Sequence, residues 1–128
     1  MQIAITSVMV NDQDQALSFY TSKLGFEKRT DVSTGEFRWL TVVSPDGVDG
    51  VELLLEPTAF PPSRQYQKAL YDAGIPCTVF FTKDVHAEYA KLKGRGVTFR
   101  GEPVVMGPVT AVLFEDTCGN LINLVQHS

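Results

Sequence analysis

Residues 8–27 read VMVNDQDQALSFYTSKLGFE, and residues 80–99 read FFTKDVHAEYAKLKGRGVTF. Each stretch is the end of an apolar strand, a polar turn and then a helix. In the first, Asp12 stands where a helix cap belongs, and Ala16, Phe19, Tyr20 and Leu24 form an apolar stripe that Gly25 ends. In the second, Asp84 is the cap, Val85, Tyr89 and Leu92 are the stripe, and Gly96 is the stop. A capping carboxylate accepts from the unpaired N–H groups of the first turn, and glycine tolerates the left-handed exit. Cap and stop are separated by 13 residues in one copy and 12 in the other, and the two caps lie 72 apart.

Working outward, a strand is predicted before each helix, over 3–10 and 77–82. Three extended runs follow each helix: 27–31, 37–43 and 51–56 in the first half, and 97–100, 110–115 and 121–126 in the second. Turn residues punctuate them at Ser33-Thr34-Gly35, Ser44-Pro45-Asp46-Gly47, Gly107-Pro108 and Asp116 to Asn120. Each half is therefore β-α-β-β-β, which makes the chain an α+β protein of two modules with an internal period near 72. We expect a single domain over residues 1–128, made of a module 1–60, a connecting helix 61–75 and a module 76–128. In the connecting helix Ser63 is expected to cap, with Tyr66, Leu70 and Tyr71 as the apolar side.

Composition narrows the function. The chain has 128 residues, 44% apolar and 20% charged, with a net charge of −4. Its eleven Lys and Arg are scattered, so no clustered basic face invites nucleic acid. No apolar run approaches the ~18 residues that span a membrane. Two cysteines, Cys77 and Cys118, make a poor disulfide framework, and Met1-Gln2-Ile3-Ala4 enters a strand directly. These features read as a cytoplasmic protein with reduced thiols.

The stretches V-x-D-x-x-x-A-x-x-F-Y-x-x-x-L-G-F (Val10 to Phe26) and F-x-D-x-x-G-N (Phe114 to Asn120) resemble the vicinal-oxygen-chelate superfamily. That superfamily includes glyoxalase I, bleomycin-resistance proteins and extradiol dioxygenases. The resemblance covers essentially the whole chain. It implies modules whose curled mixed sheet surrounds a cleft, and a homodimer. In metal-dependent members it also implies four ligands, two from first strands and two from last strands. Carried over, those positions are Ile5, Glu52, Cys77 and Asn123. Ile5 has no donor atom and a carboxamide is a feeble ligand for a transition metal. Elsewhere the chain offers only His86 and His127, both expected at the surface. No metal and no other cofactor is therefore expected.

Strand alternation places Val8 and Val10 under the helix. Ile5, Ser7, Glu52, Leu54, Cys77, Val79, Phe81 and Asn123 then line the cleft. The strand 37–43 offers either Phe37, Trp39 and Thr41 or Arg38, Leu40 and Val42, and the sequence leaves that choice open. Glu52 either points to water, pairs with Arg38, or is a buried carboxylate that binds a cation or acts as a general base. Cys77 has no His or Lys placed to lower its pKa, so an inert thiol is expected over a nucleophile. Trp39 is a candidate to stack on a flat ligand. The leading expectation is a metal-independent protein that sequesters a small molecule. The alternative is a glyoxalase-like lyase or isomerase with Glu52 as base.

Overall fold

A computed structural model describes all residues 1–128. Its elements are β1 (Ile5–Val10), α1 (Gln13–Ser18), β2 (Glu27–Ser33), β3 (Arg38–Val43) and β4 (Glu52–Pro57). Then follow α2 (Pro61–Asp72), β5 (Thr78–Phe81), α3 (Val85–Gly94), β6 (Val104–Met106), β7 (Val109–Glu115) and β8 (Leu121–His127). The strands form two four-stranded mixed sheets of identical order, β1-β4-β3-β2 and β5-β8-β7-β6. In each, the first strand runs parallel to the last, and the remaining pairs are antiparallel.

Both caps form as read. Asp12 accepts from Gln15 N–H and Asp84 from Ala87 N–H, each at 3.0 Å. Gly25 and Gly96 take φ of +81° and +88° where the chain leaves the helices. The first helix loosens after Ser18 into a π-helical turn, Phe19–Lys23, and Phe19 and Tyr20 are buried there. The repeat also shows as contact: Lys23 Nζ donates to Arg95 O at 2.5 Å, and Arg95 Nη1 donates back to Lys23 O at 2.8 Å. Residues 72 apart in sequence thus bond reciprocally, as they would across a two-fold axis.

Three expectations need correction. Residues 97–100 supply only a bridge from Phe99 to Phe114, and the edge strand is β6 instead. The helix α2 starts at Pro61 with Phe60 as its cap residue. Proline suits a first turn whose N–H groups are unpaired anyway, so Ser63 lies inside the helix and its hydroxyl donates back to Phe60 O. The expected apolar side of α2 is only partly its buried side: Leu70 and Tyr71 are half-buried beside Gln67, the one buried residue, while Tyr66 is exposed.

One core serves both modules. Val8, Val10, Leu40, Val42 and Leu55 from the first sheet and Val112, Phe114, Ile122 and Leu124 from the second share it with Phe19, Tyr20, Val85 and Leu92. Phe26 meets Phe80 edge-to-face at 5.4 Å, and Phe19 lies 6.2 Å from Phe114. Beside this apolar seam runs a buried polar one. Asp116 Oδ1 accepts from Cys118 N–H and Asn120 N–H at 2.8 and 3.0 Å. Its Oδ2 accepts from Tyr20 OH and Asn120 Nδ2, both at 2.8 Å. Asn120 Nδ2 also reaches Met9 O at 2.6 Å. Gln67 Nε2 donates to Met9 O at 2.8 Å and Cys118 O at 3.0 Å. The F-x-D-x-x-G-N stretch is therefore an inter-module joint. Gly119 (φ +96°) belongs to it sterically, since a Cβ there would come within 2.9 Å of the Gln67 side chain.

Removing the phenol from this joint leaves Asp116 short of a donor inside the protein, which costs about 1–3 kcal/mol. Tyr20→Phe is expected to lower the urea midpoint accordingly with the slope unchanged. A midpoint equal to the wild type would show that the joint does not stabilise the native state.

Candidate functional site

Strand register settles the faces. Thr41 pairs with Leu54, Ser7 with Leu54, Ile5 with Glu52 and Val32 with Trp39. Paired residues share a face of the pleat. Ile5, Ser7, Trp39, Thr41, Glu52 and Leu54 therefore share one face, while Leu40, Val42 and Leu55 are in the core behind it. In the second module Val79 pairs with Asn123 and Phe81 with Val125, and Leu113 pairs with Asn123. Cys77 precedes β5, and its N–H donates to Leu121 O at 2.9 Å.

Each module thus collects its own site residues onto the sheet face that turns away from the shared core. Within one chain these faces stay open. Trp39 is 43% exposed, Val79 46% and Phe81 65%, and Ile5 and Ser7 are exposed too. No hydrogen bond or aromatic contact joins Ile5, Ser7, Trp39, Glu52 or Leu54 to Cys77, Val79, Phe81 or Asn123. Two surface grooves lie elsewhere, one between Asp12 and Arg38, the other between Tyr89 and Phe99.

Register also corrects the carried-over ligand set. Ser7 and Val79 each stand five residues before the capping Asp. Their partners are Leu54 and Asn123, so Leu54, and not Glu52, is the counterpart of Asn123. With Ile5, Leu54, Cys77 and Asn123 as the four positions, the only strong donor left is a thiol. The residues present do not fit a divalent metal ion, and no three His, Cys, Asp or Glu side chains are grouped to hold one.

Glu52 is half-buried and pairs with neither Arg38 nor any other cation. Arg38 turns to the opposite side, where it forks onto Asp31 at 2.9 and 3.0 Å and also reaches Asp14. Glu52 Oε1 instead accepts from the buried hydroxyl of Thr41 at 2.6 Å, and Thr41 Oγ1 in turn accepts from Thr30 N–H at 3.2 Å. Asn123, half-buried between Val79 and Leu113, and Ser7 spend no side-chain hydrogen bond inside the chain. The Cys77 thiol is pushed up to about 12, first by desolvation and then by the Asp116 carboxylate, although the residue as a whole is exposed. Its sulfur is a protonated, unactivated group at neutral pH.

Two residues of these faces were not singled out from the sequence. Thr41 was one of two open alternatives. The strand β8 runs on to His127, whose ring lies 4.5 Å from Phe81. Alternation from Asn123 through Val125 gives His127 that side, a signal the sequence does carry.

Residues 2–124 match the family described as Glyoxalase/Bleomycin resistance protein/Dioxygenase superfamily. The Bacillus subtilis strain 168 protein YurT, itself uncharacterized, is 56% identical over 126 residues, covering 98% of this chain and 99% of YurT. Among solved structures, UcmS2 is 34% identical with a TM-score of 0.84, over 98% of this chain and 97% of that one. TnmS3, an antibiotic binding protein from Streptomyces sp. CB03234, is 30% identical with a TM-score of 0.79, over 100% and 97%.

The thiols make an alkaline test. Cys77 and the buried Cys118 are each raised from 9.0 to about 12, chiefly by desolvation. A group raised in the folded state contributes stability that is complete below its unfolded pKa and is lost as pH climbs through the folded one. The urea midpoint is therefore expected to fall as pH rises from 9 towards 12, and to fall less in Cys77→Ala/Cys118→Ala. Equal slopes in the two proteins would contradict the assignment.

Proposed function

Since the chain belongs to the Glyoxalase/Bleomycin resistance protein/Dioxygenase superfamily, we propose that it binds and sequesters a small, largely apolar molecule, without a metal ion. The observation that carries this reading is the composition of the two outward sheet faces. They expose Ile5, Trp39, Val79 and Phe81 and intersperse them with polar groups that have no intramolecular task, Asn123 and Ser7. Small-ligand sites have this make-up, an apolar lining with a few polar handles. TnmS3 supports it as an antibiotic-binding relative at 30% identity.

A second copy of the chain closes the cleft in this reading. One outward face is too open to bury a ligand, and exposed apolar sheet faces seek cover. A homodimer that sets the first-module face of one copy against the second-module face of the other encloses both. The two free cysteines fit a reducing cytoplasm. The enzyme alternative, with Glu52 as general base, is less well supported. One oxygen of Glu52 is already held by Thr41, and the neighbouring module offers a protonated thiol and a neutral amide.

Thermal-shift screening against planar aromatic compounds, with sedimentation velocity alongside, tests the reading. The expected result is a dimer and at least one stabilising compound, with a shift unchanged by EDTA. A ligand at ~100 times its Kd adds about 2.7 kcal/mol to stability. Trp39→Ala is expected to weaken binding by about tenfold. Loss of binding on chelation, or a monomer with no stabilising compound, would count against it.

A further inference from the structure

We propose that Glu52, oriented by Thr41, is the binding partner for a positively charged nitrogen on the sequestered molecule, so that the ligand is an aromatic or apolar cation. This inference rests on the small-molecule reading above and names the class of molecule.

Three observations carry it. First, the carboxylate is aimed. Thr41 is fully buried, and its oxygen already accepts from Thr30 N–H, which directs its own O–H onto Glu52 Oε1 at 2.6 Å. A single fixed donor on one oxygen leaves Oε2 without any partner in the chain. Second, the charge is uncompensated. Glu52 makes no ion pair, and none of Ile5, Ser7, Thr41 and Leu54, its neighbours by register on that face, is basic. Glu56 follows it on the same side of β4, opposite Met9, and adds negative charge. The lone arginine of β3 is turned away and saturated by Asp31 and Asp14. Third, the indole of Trp39 lies on the same strand and face as Thr41, two residues before it, and is 43% exposed; the β3–β4 register continued from Thr41–Leu54 sets it opposite Glu56. The same face thus offers a ligand an ion pair at Glu52 and, further along, an open indole for its flat body.

The physical demand is then specific. Closing the cleft over a neutral ligand strips water from a carboxylate that has no counter-ion, which is costly. Closing it over a cation replaces that water with a charge-assisted hydrogen bond. A neutral or anionic ligand of equal shape is therefore selected against.

Fluorescence or calorimetric titration with three tricyclic probes decides the matter: proflavine (a cation at neutral pH), phenazine (neutral) and anthraquinone sulfonate (an anion). Wild-type protein is expected to bind proflavine about tenfold or more tighter than phenazine, with the sulfonate weakest. Glu52→Gln is expected to erase that preference while leaving phenazine binding in place. Thr41→Val should reduce the preference, and Thr41→Ser, which keeps the hydroxyl, should restore it. The ratio between probes within one variant does not depend on the fraction folded, so an unstable variant still reports. If the wild type binds the three probes alike, or Glu52→Gln keeps the preference, the cation role fails while the sequestering reading survives. If none of the three binds, both fail.

Discussion

A single buried carboxylate organises how the two modules meet. Asp116 has no solvent contact, and burial pushes its pKa up, while Asn120, Tyr20 and two backbone N–H groups pull it back by hydrogen bonding. The four donors come from both modules: Tyr20 from the first, Asn120 and the turn N–H groups from the second. Gln67 then ties the connecting helix to the same place through Met9 O and Cys118 O. An unpaired polar group here would be expensive, so the joint admits one docking geometry. In that geometry the helix-side faces of both sheets share a core, and the opposite faces are left to the outside.

Function follows from that choice. A chain that buried its two outward sheet faces against each other would cover both by itself. This chain keeps them exposed, with Trp39 on one and Phe81 packed against the tilted ring of His127 on the other. The four positions that the resemblance would give to metal ligands, once the strand register is applied, hold Ile5, Leu54, Cys77 and Asn123. Such a surface can grip an apolar molecule, and its few polar atoms can choose among apolar molecules.

The repeat was legible because it is written in local chemistry. A cap at Asp12 or Asp84, an apolar stripe and a glycine stop are each decided within one helix, and strand faces follow from alternation. What lay hidden depends on distant partners. Nothing in PPSRQYQKALYD marks Gln67 as its buried residue; its burial follows from two carbonyls, at Met9 and Cys118, that need a donor. The run Val97–Arg100 reads as a strand, yet it meets β7 only at the Phe99–Phe114 bridge, and the edge ladder forms at Val104–Met106. The equivalence of Asn123 with Leu54 and not with Glu52 needs the pairing of β1 with β4 and of β5 with β8. Thr41 required a choice of face that only register makes.

The location of the site is open to a direct observation. Amide and methyl NMR spectra of the labelled protein, titrated with proflavine, report which residues the ligand reaches. The expected perturbations fall on Trp39, Thr41, Glu52, Val79 and Asn123, on the two outward faces. Perturbations confined to the groove between Tyr89 and Phe99, or to that between Asp12 and Arg38, would place binding elsewhere and contradict the assignment of these faces.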